Sequence, residues 1–557
     1  MIIFRSMKFL KALLNSLICG LFFCCLLALL FADLNINSKL DLFFLGRLAL
    51  ILFITYGLIA AALGLVIFSI YTFFSARKNI AFISPTFLSL GFSFLTSLFL
   101  IIFWNNVKYF SSFFGTETRL LIKNQMIVLL ILTALGPLVC YIYYKHGKRV
   151  LAFVAYFLIA AGLVGSAFYR RPETTLPRPT GKLLSLEARG SGKKVTIIEL
   201  EGLSLDFIIP LISEDKLPNF SLLVEQGSWG RLESFTPSDT FILDATFGTG
   251  KRPAKHRQIS PMTYHVGSLK QELEIIPRFL FFKQLTRTGL LTAEASRPAY
   301  RPKDLWRIVT ECGLSLIHRD QPDAVDASKV TAKTDTLFTL FYKDLERDLN
   351  PAVRQARQAF IRDSQYEDEA FQERAGLSPQ VFGLRLNGLN LVEKYFYRYS
   401  FPEVFGNLLP EEVAKYGSVI ERYYRFYDQV IGKYLAGLKE DELLIVFSSH
   451  GIEPLPFGKR VVDWVMGETD VSAFHEMGPE GVVFFYGQTI NREKNIEGMR
   501  LFDLAPSILY YLGLPVSKDM DGIVLSSLFR RDFTGDNPIL SISSYEDYAV
   551  SPGRQAP

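Results

Sequence analysis

The chain has 557 residues, of which 49% are hydrophobic, and a formal net charge of +5 at pH 7. This length favours several domains, and so mild a positive charge gives no indication of nucleic acid binding. Four of the five cysteines lie before residue 150, which leaves Cys312 alone in the remainder. An internal disulfide or a zinc site built on a cysteine pair is therefore excluded there.

Five apolar runs fill the first third of the chain, and each is long enough to cross a bilayer as a helix of about 20 residues. They are residues 10–31, 48–70, 81–104, 126–144 and 150–168. The first run is long for a signal peptide and is not followed by a small-residue cleavage site. No acidic or histidine side chain lies inside the five runs, which argues against a pump or channel. We predict an all-α transmembrane bundle of about five helices over residues 1–170, serving as an anchor or as a partner-binding bundle.

Basic residues indicate how this bundle is oriented. With the N-terminus in the cytoplasm, the inner segments carry eight basic residues and the longer outer loops carry five. Positive charge favours the cytoplasmic side, although Arg170 and Arg171 oppose the assignment. An odd number of spans then predicts that everything after residue 168 lies outside the cytoplasm, in a protein integral to the cell membrane.

The rest of the chain alternates between predicted strands and helices. Residues 171–193 hold three prolines and three glycines and are typical of a linker. Strands are predicted at residues 194–200, 230–235, 314–318, 380–386, 442–448 and 481–486. Helices are predicted at residues 217–226, from 240 onward, and at 305–311, 353–375 and 413–435. This alternation predicts an α/β domain over residues 194–557, with a mostly parallel sheet and helices on both faces. Residues 260–300 fit the pattern poorly and are interpreted as a cap or insertion.

Polar motifs follow several of the predicted strands. Glu201-Gly202 comes after the first strand, and the segment TPSDTFILDATFGTGKRPAKH spans residues 236–256. Farther along are GLNLVEK at 388–394, IVFSSHG at 445–451 and AFH at 473–475. In an open α/β sheet, ligands bind at the carboxyl ends of the strands, so we expect these segments to form one site.

These motifs, together with LFDLAPSIL at 501–509, GLP at 513–515 and MDG at 520–522, resemble the alkaline phosphatase superfamily. The resemblance is to its type I phosphodiesterase and nucleotide pyrophosphatase branch and extends from about residue 194 to 529. It implies an alkaline-phosphatase-like fold. It also implies a Thr or Ser nucleophile at a helix N-terminus, flanked by two metal ions, usually zinc.

Matched position by position, the resemblance places the nucleophile at Thr240, although an ordinary helix cap is the commoner role for such a Thr. The metal ligands are only partly retained. The family's ligand positions hold Glu201 for Asp, Asn390 for Asp, Lys394 for His, Ser449 for Asp, and the unchanged His450 and His475. Zinc normally takes three or four good ligands. We therefore expect either no metal or one weakly held divalent ion, zinc if any.

Lys394 gives a further expectation, because its ammonium is placed where the family has a metal ligand. It could replace the charge of the lost metal by holding a substrate phosphate or sulfate, or it could pair with Glu201 as a buried filler. The main functional hypothesis is a pseudoenzyme that acts as a structural or partner-binding subunit at the membrane. The alternative is a phosphodiester hydrolase or phosphotransferase that uses Thr240. A third hypothesis is a module that binds a phosphate-bearing ligand.

Overall fold

The structure is a computed structural model, and it describes residues 2–35, 41–74, 82–146, 154, 184–188, 192–279, 282–296, 301–320, 341–406, 408–456, 458–460, 470–477 and 480–552. The chain forms two compact units. The helical unit comprises residues 1–177 and 257–300, and the sheet unit comprises residues 178–256 and 301–557. The segment interpreted from the sequence as a cap or insertion thus packs with the N-terminal helices.

Four long helices form most of the helical unit. They are α1 (Ile2–Leu34), α2 (Leu42–Phe74), α3 (Pro85–Tyr109) and α4 (Thr116–His146). Three stretches within them are long and apolar enough to cross a membrane, namely Leu10–Leu34, Leu90–Tyr109 and Thr116–Leu135, and a shorter apolar stretch covers Leu42–Gly57. These helices fit a membrane anchor. The fifth predicted span, residues 150–168, lies outside the described residues except for residue 154.

The inserted segment is attached to these helices by two buried asparagines. It contains an antiparallel pair of strands, β4 (Met262–Val266) and β5 (Leu291–Ala295). Asn35 Oδ1 accepts from the backbone N–H groups of Glu274 and Ile275 at 2.9 and 2.8 Å, and its Nδ2 donates to the carbonyl of Ile275 at 2.8 Å. Asn106 bonds the backbone of Arg278 in a similar way, because its Oδ1 accepts from the N–H and its Nδ2 donates to the carbonyl. Side chains of the helices thereby bond backbone groups of the inserted segment.

The sheet unit is built on an eight-stranded sheet. Its strands are β2 (Lys194–Leu200), β3 (Ser228–Glu233), β6 (Leu316–Arg319), β7 (Val381–Leu386), β8 (Glu442–Ser448), β11 (Gly481–Tyr486), β12 (Lys494–Asn495) and β13 (Met499–Arg500). The order is β12-β3-β11-β8-β2-β7-β6, with β13 also on β3. β11 is antiparallel to β3 and to β8, whereas the other pairs are parallel. The predicted mostly parallel sheet is confirmed.

Smaller strand pairs complete the unit. They are β1 (Leu184–Ala188) with β16 (Tyr548–Pro552), β9 (Glu453–Pro454) with β10 (Ala473–Phe474), and β14 (Val516–Ser517) with β15 (Ser541–Ile542).

Helices cover both faces of the sheet, because successive strand residues point to opposite sides. One apolar cluster contains Ile198 and Leu384, and the other contains Ile197 and Phe447. The first face packs against α5 (Leu205–Ser213), α6 (Pro218–Gln226), α10 (Pro351–Leu377), α11 (Gly388–Ser400), α13 (Pro410–Tyr416) and α14 (Val419–Ala436). The second packs against α7 (Thr240–Thr249), α9 (Leu305–Glu311), α15 (Leu504–Tyr511) and α16 (Arg531–Asp536). Two single-turn helices, α8 (Pro253–His256) and α12 (Pro402–Phe405), are also present.

One predicted helix is wrong in its extent. Residues 413–435 were expected to form a single amphipathic helix, but α13 ends at Tyr416 and α14 begins at Val419. Gly417 caps the first helix by donating its N–H to the carbonyl of Val413 at 2.9 Å.

Candidate functional site

The predicted site residues meet at one edge of the sheet. β2, β7 and β8 are adjacent and parallel, so their carboxyl ends lie side by side. Glu201 directly follows β2, and His450 follows β8 by two residues. β3 runs parallel to β8 because both are antiparallel to β11, so the loop after it delivers α7 to the same edge. We call this group of segments the carboxyl edge.

Arg385, near the end of β7, is the centre of the polar contacts at this edge. Its Nε donates to Glu201 Oε1 at 2.7 Å, and its Nη2 contacts the same carboxylate. Its Nη1 donates to Asp244 Oδ2 at 2.5 Å and lies 3.4 Å from Asp320 Oδ1. The carboxylate of Glu199 is 4.0 Å from Nε. One guanidinium is thus surrounded by four carboxyl groups.

Most of this network is withdrawn from water, which alters the ionisation of its members. The side chains of Arg385 and Glu201 are only 15% and 3% exposed. Burial raises the pKa of Glu199 well above its usual value, despite the opposing effect of Arg385. Asp244 is 38% exposed, yet desolvation of its carboxyl, strengthened by Glu201 and Asp320, raises its pKa, also against Arg385. Among the described residues of this edge, the carboxyl groups therefore outnumber the one buried cation, Arg385.

Thr240 is the first residue of α7, as predicted, but the cap of this helix is Asp239. The Asp239 carboxylate accepts from the backbone N–H of Phe241 at 3.0 Å. Thr240 is half-buried, and its hydroxyl makes no hydrogen bond to any described residue. Asp244 lies four residues later, on the same face of the helix. Thr240 and Asp244, which contacts Arg385, thus share one face of the helix.

His450 and His475 come together as a stacked pair. Their ring centroids are 4.8 Å apart, with an angle of 25° between the planes. Burial lowers the pKa of each imidazole to about 4, so both are neutral at pH 7. Nδ1 of His450 lies 3.1 Å from the carbonyl of Gly451. A carbonyl only accepts hydrogen bonds, so Nδ1 carries the proton and Nε2 is left as an acceptor.

Asn390 and Ser449 also lie at the carboxyl edge but supply no charge. Nδ2 of Asn390 donates to Glu201 Oε2 at 3.4 Å. Ser449 is buried, and its hydroxyl lowers the raised pKa of Glu199, although burial remains the dominant influence on that carboxyl. The neighbouring Ser448 accepts from the N–H of Gly202 at 3.1 Å, which ties the ends of β2 and β8 together.

Lys394 does not form the expected pair with Glu201. It is exposed, and its Nζ lies 5.7 Å from the centroid of its neighbour Tyr395. The reason is helical geometry: each residue of α11 is rotated by about 100° from the last, and the preceding Glu393 already points into the core. Arg385 takes the place at Glu201 that was assigned to Lys394.

Glu393 is a further buried acid that the sequence did not single out. It is fully buried, and Tyr424 donates to its Oε1 at 3.3 Å, while Oε2 has no partner among the described residues. Burial raises its pKa well above the usual value. Arg385, Asp244 and Glu199 were missed as well. The available signal was a charged residue in each of two otherwise apolar strands, and an Asp four residues after Thr240.

The residues do not fit the family's metal centre. Among the residues that the structure describes, no three His, Cys, Asp or Glu side chains are arranged so that they could hold a metal ion. The carboxylate of Glu201 is turned to a guanidinium, and the Asn390 amide beside it carries no charge. The described residues therefore do not support a mechanism that runs through a metal ion.

The chain matches the family model of type I phosphodiesterase / nucleotide pyrophosphatase over residues 195–498. Among solved structures, it is similar to phosphonate monoester hydrolase SpPMH from Silicibacter pomeroyi, with a TM-score of 0.36 and 14% identity, over 61% of this chain and 78% of that one. No curated protein matches the chain significantly. The family model covers more than half of the chain and includes the ends of β2, β7 and β8. The resemblance predicted from the motifs is therefore confirmed, and the chain belongs to the type I phosphodiesterase / nucleotide pyrophosphatase family.

Proposed function

We propose that this protein is a membrane-anchored, metal-independent member of its family, a pseudoenzyme that serves as a structural or partner-binding subunit. The observation that carries the proposal is the ion pair between Glu201 and Arg385. Glu201 stands at a metal-ligand position of the family, and its carboxylate is engaged by Arg385 at 2.7 Å. Beside it, Asn390 and Ser449 contribute no charge, and Lys394 faces solvent.

The stacked histidines do not restore a metal centre in this proposal. Zinc prefers three or four ligands among thiolates, imidazoles and carboxylates. His450 and His475 are neutral and suited to ligation, but two imidazoles without a free carboxylate are too few for tight binding. The sheet unit is proposed to bind its partner without cleaving a phosphate ester.

The orientation of the sheet unit is part of the proposal. The distribution of basic residues between the predicted loops supports a location outside the cytoplasm. A single cysteine is introduced at an exposed position of the sheet unit, for example by Leu349→Cys. It is then labelled in intact cells with a membrane-impermeant maleimide. Labelling only after lysis would contradict the orientation.

The central test is metal content combined with hydrolysis. The full chain, purified in detergent, is analysed for zinc and manganese before and after a chelator, and assayed on bis(p-nitrophenyl) phosphate. We expect no stoichiometric metal, no change in melting temperature with chelator, and no turnover. Two ions per chain, with turnover that chelation removes, would overturn the proposal.

Hydrolysis by Thr240 is the second candidate function. It is favoured by the position of Thr240 in the first turn of α7, because helix N-termini attract phosphate. It is also favoured by the Thr240 hydroxyl, which makes no hydrogen bond to a described residue. Thr240→Ala separates the two functions: a hydrolase loses its turnover, whereas a pseudoenzyme keeps its binding function. Asp239→Asn is the matched control, because it alters the adjacent cap and leaves the hydroxyl in place.

A further inference from the structure

We propose that Arg385 is the resident cation of the carboxyl edge, and that its guanidinium takes the place of a divalent cation among the carboxylates of Glu199, Glu201 and Asp244. The inference deepens the proposed function and rests on it, because it explains how the edge is stable without metal. It also predicts that the same carboxylates become a cation site when Arg385 is removed.

The contacts of Arg385 resemble those of a cation in a carboxylate cage. Two of its nitrogens reach Glu201 Oε1 and Asp244 Oδ2, at 2.7 and 2.5 Å. These acids come from separate parts of the chain, the end of β2 and the first turns of α7, and the guanidinium contacts both of them. Arginine suits this role, since its planar fork is always charged and bonds several carboxylate oxygens at once.

Removing the guanidinium would leave an unbalanced group of acids. Glu199 and Glu201 are 10% and 3% exposed at the side chain, so water cannot solvate their charges well. Buried carboxylates without a counter-charge either take up protons or recruit a cation. Carboxylate oxygens are the ligands that manganese, calcium and magnesium prefer. No three His, Cys, Asp or Glu side chains of the described residues are arranged to hold a metal ion while Arg385 is present, so the proposal is that its removal frees the carboxylates to close on such an ion rather than on a thiol-seeking metal.

A second observation also indicates a missing ligand at this edge. Nε2 of His450 is completely buried, and it has no hydrogen-bond partner among the described residues. Because Nδ1 carries the proton, Nε2 presents a lone pair. The imidazole is close enough to Arg385 for that charge to help burial lower its pKa. The Nε2 lone pair is therefore a ligand that a metal ion at this edge could recruit, and no donor among the described residues now bonds to it.

In the intact protein, Arg385 also keeps divalent ions out. Two positive charges at contact distance repel each other strongly in a buried site. A metal ion would have to displace the guanidinium from at least Glu201, its most buried partner, and breaking a buried ion pair is costly. Metal independence is thus attributed to one side chain rather than only to the lost ligands.

The test measures manganese binding by the full chain in detergent. Wild type, Arg385→Met and Arg385→Ala are dialysed against MnCl₂ and then against buffer, and bound manganese is determined by elemental analysis. The matched control is Arg374→Met. Arg374 forms a similarly buried pair with Glu442, at 2.6 Å, with side chains 11% and 6% exposed, but it contacts a single carboxylate.

We expect the Arg385 variants to retain about one manganese ion per chain, as suits a site of carboxylate oxygens, and to show a higher melting temperature with MnCl₂. Wild type and Arg374→Met should do neither. Arg385→Met combined with Glu201→Gln should lose the gained ion. If the Arg385 variants fold only when manganese is present during expression, the proposal is supported equally.

The outcomes separate the inference from the proposed function. Stoichiometric metal in the wild type would refute the metal-independent function itself. A metal-free wild type with Arg385 variants that fold and bind no manganese would refute the inference alone. Failure of both variants to fold with or without manganese would also refute it, because the carboxylates would then be unable to accept a cation in place of the guanidinium.

Discussion

Arg385 and Glu199 are direct partners on adjacent parallel strands, and the guanidinium Nε lies 4.0 Å from Glu199 Oε2. This places a cation and a buried acid inside the sheet, immediately below the edge where Glu201 meets Asn390. The register of β2 on β7 therefore fixes which group is available to Glu201. Stability and ligand preference at the carboxyl edge both depend on that register.

Glu201→Ala should destabilise the sheet unit strongly. The change removes the most buried partner of Arg385, and breaking a buried ion pair from one side costs about 3–5 kcal/mol. The free energy of unfolding is measured by denaturant titration of the full chain in detergent. Arg231→Ala is the control, because it breaks an exposed pair with Asp206 at 3.4 Å and should cost less than about 1 kcal/mol. Equal losses in the two variants would contradict the central role of the Arg385 network.

Asp239→Ala should cost more stability than Thr240→Ala, although the sequence drew attention to Thr240. The carboxylate of Asp239 caps α7, and loss of such a cap costs about 1 kcal/mol. Thr240 makes no hydrogen bond to the described residues through its hydroxyl, so its replacement should change stability by less than about 0.5 kcal/mol. Melting temperatures of the two variants decide the point, and the reverse order would mean that Thr240 is the structural residue.

Glu393→Gln should stabilise the protein increasingly as the pH rises. The pKa of Glu393 is raised by burial in the folded state, so the folded chain holds a proton that the unfolded chain releases above about pH 4.3. This group therefore contributes its stability at low pH, and the contribution is lost as the pH rises toward the folded pKa. Gln has nearly the same shape as Glu but does not titrate, so the variant does not lose this contribution as the pH rises.

The measurement for Glu393 is the difference in unfolding free energy between variant and wild type from pH 4.5 to 8. The difference should start near zero and grow by up to about 1.4 kcal/mol per pH unit. Taking the difference removes the effects of other groups, such as Glu199, which acts with the same sign, and His450, which acts with the opposite sign. Glu403→Gln, at an exposed position, is the control and should show no such trend. A flat difference for Glu393 would show that this carboxyl is ionised in the folded protein.

Asn106→Ala should loosen the inserted segment from the helices that hold it. The side chain bonds both backbone groups of Arg278, at 2.6 and 2.9 Å, and each such hydrogen bond contributes about 0.5–1.5 kcal/mol. We expect faster cleavage within residues 257–300 by trypsin. Asn105→Ala is the matched control, because this neighbouring side chain is exposed and bonds only its own helix. Equal cleavage rates would show that Asn106 does not hold the segment.

Local sequence patterns determined much of the framework. The predicted limits of β2, β8 and β11 are those observed, and α7 begins at Thr240 as expected. Buried parallel strands appear as continuous apolar runs, and helix starts carry polar caps, so each signal lies within a few neighbouring residues. The family motifs were recognisable for the same reason, since each occupies one strand end.

The tertiary structure alone decided which charges meet. Arg385 and Glu201 are 184 residues apart in the chain, and only the pairing of β2 with β7 brings them together. The packing of α11 turns Glu393 inward and Lys394 outward. The partner of Glu201 is therefore Arg385 and not Lys394. The attachment of residues 257–300 to the N-terminal helices through Asn35 and Asn106 likewise has no local signal. Such contacts depend on strand order, register and helix rotation, which are set by packing over the whole unit.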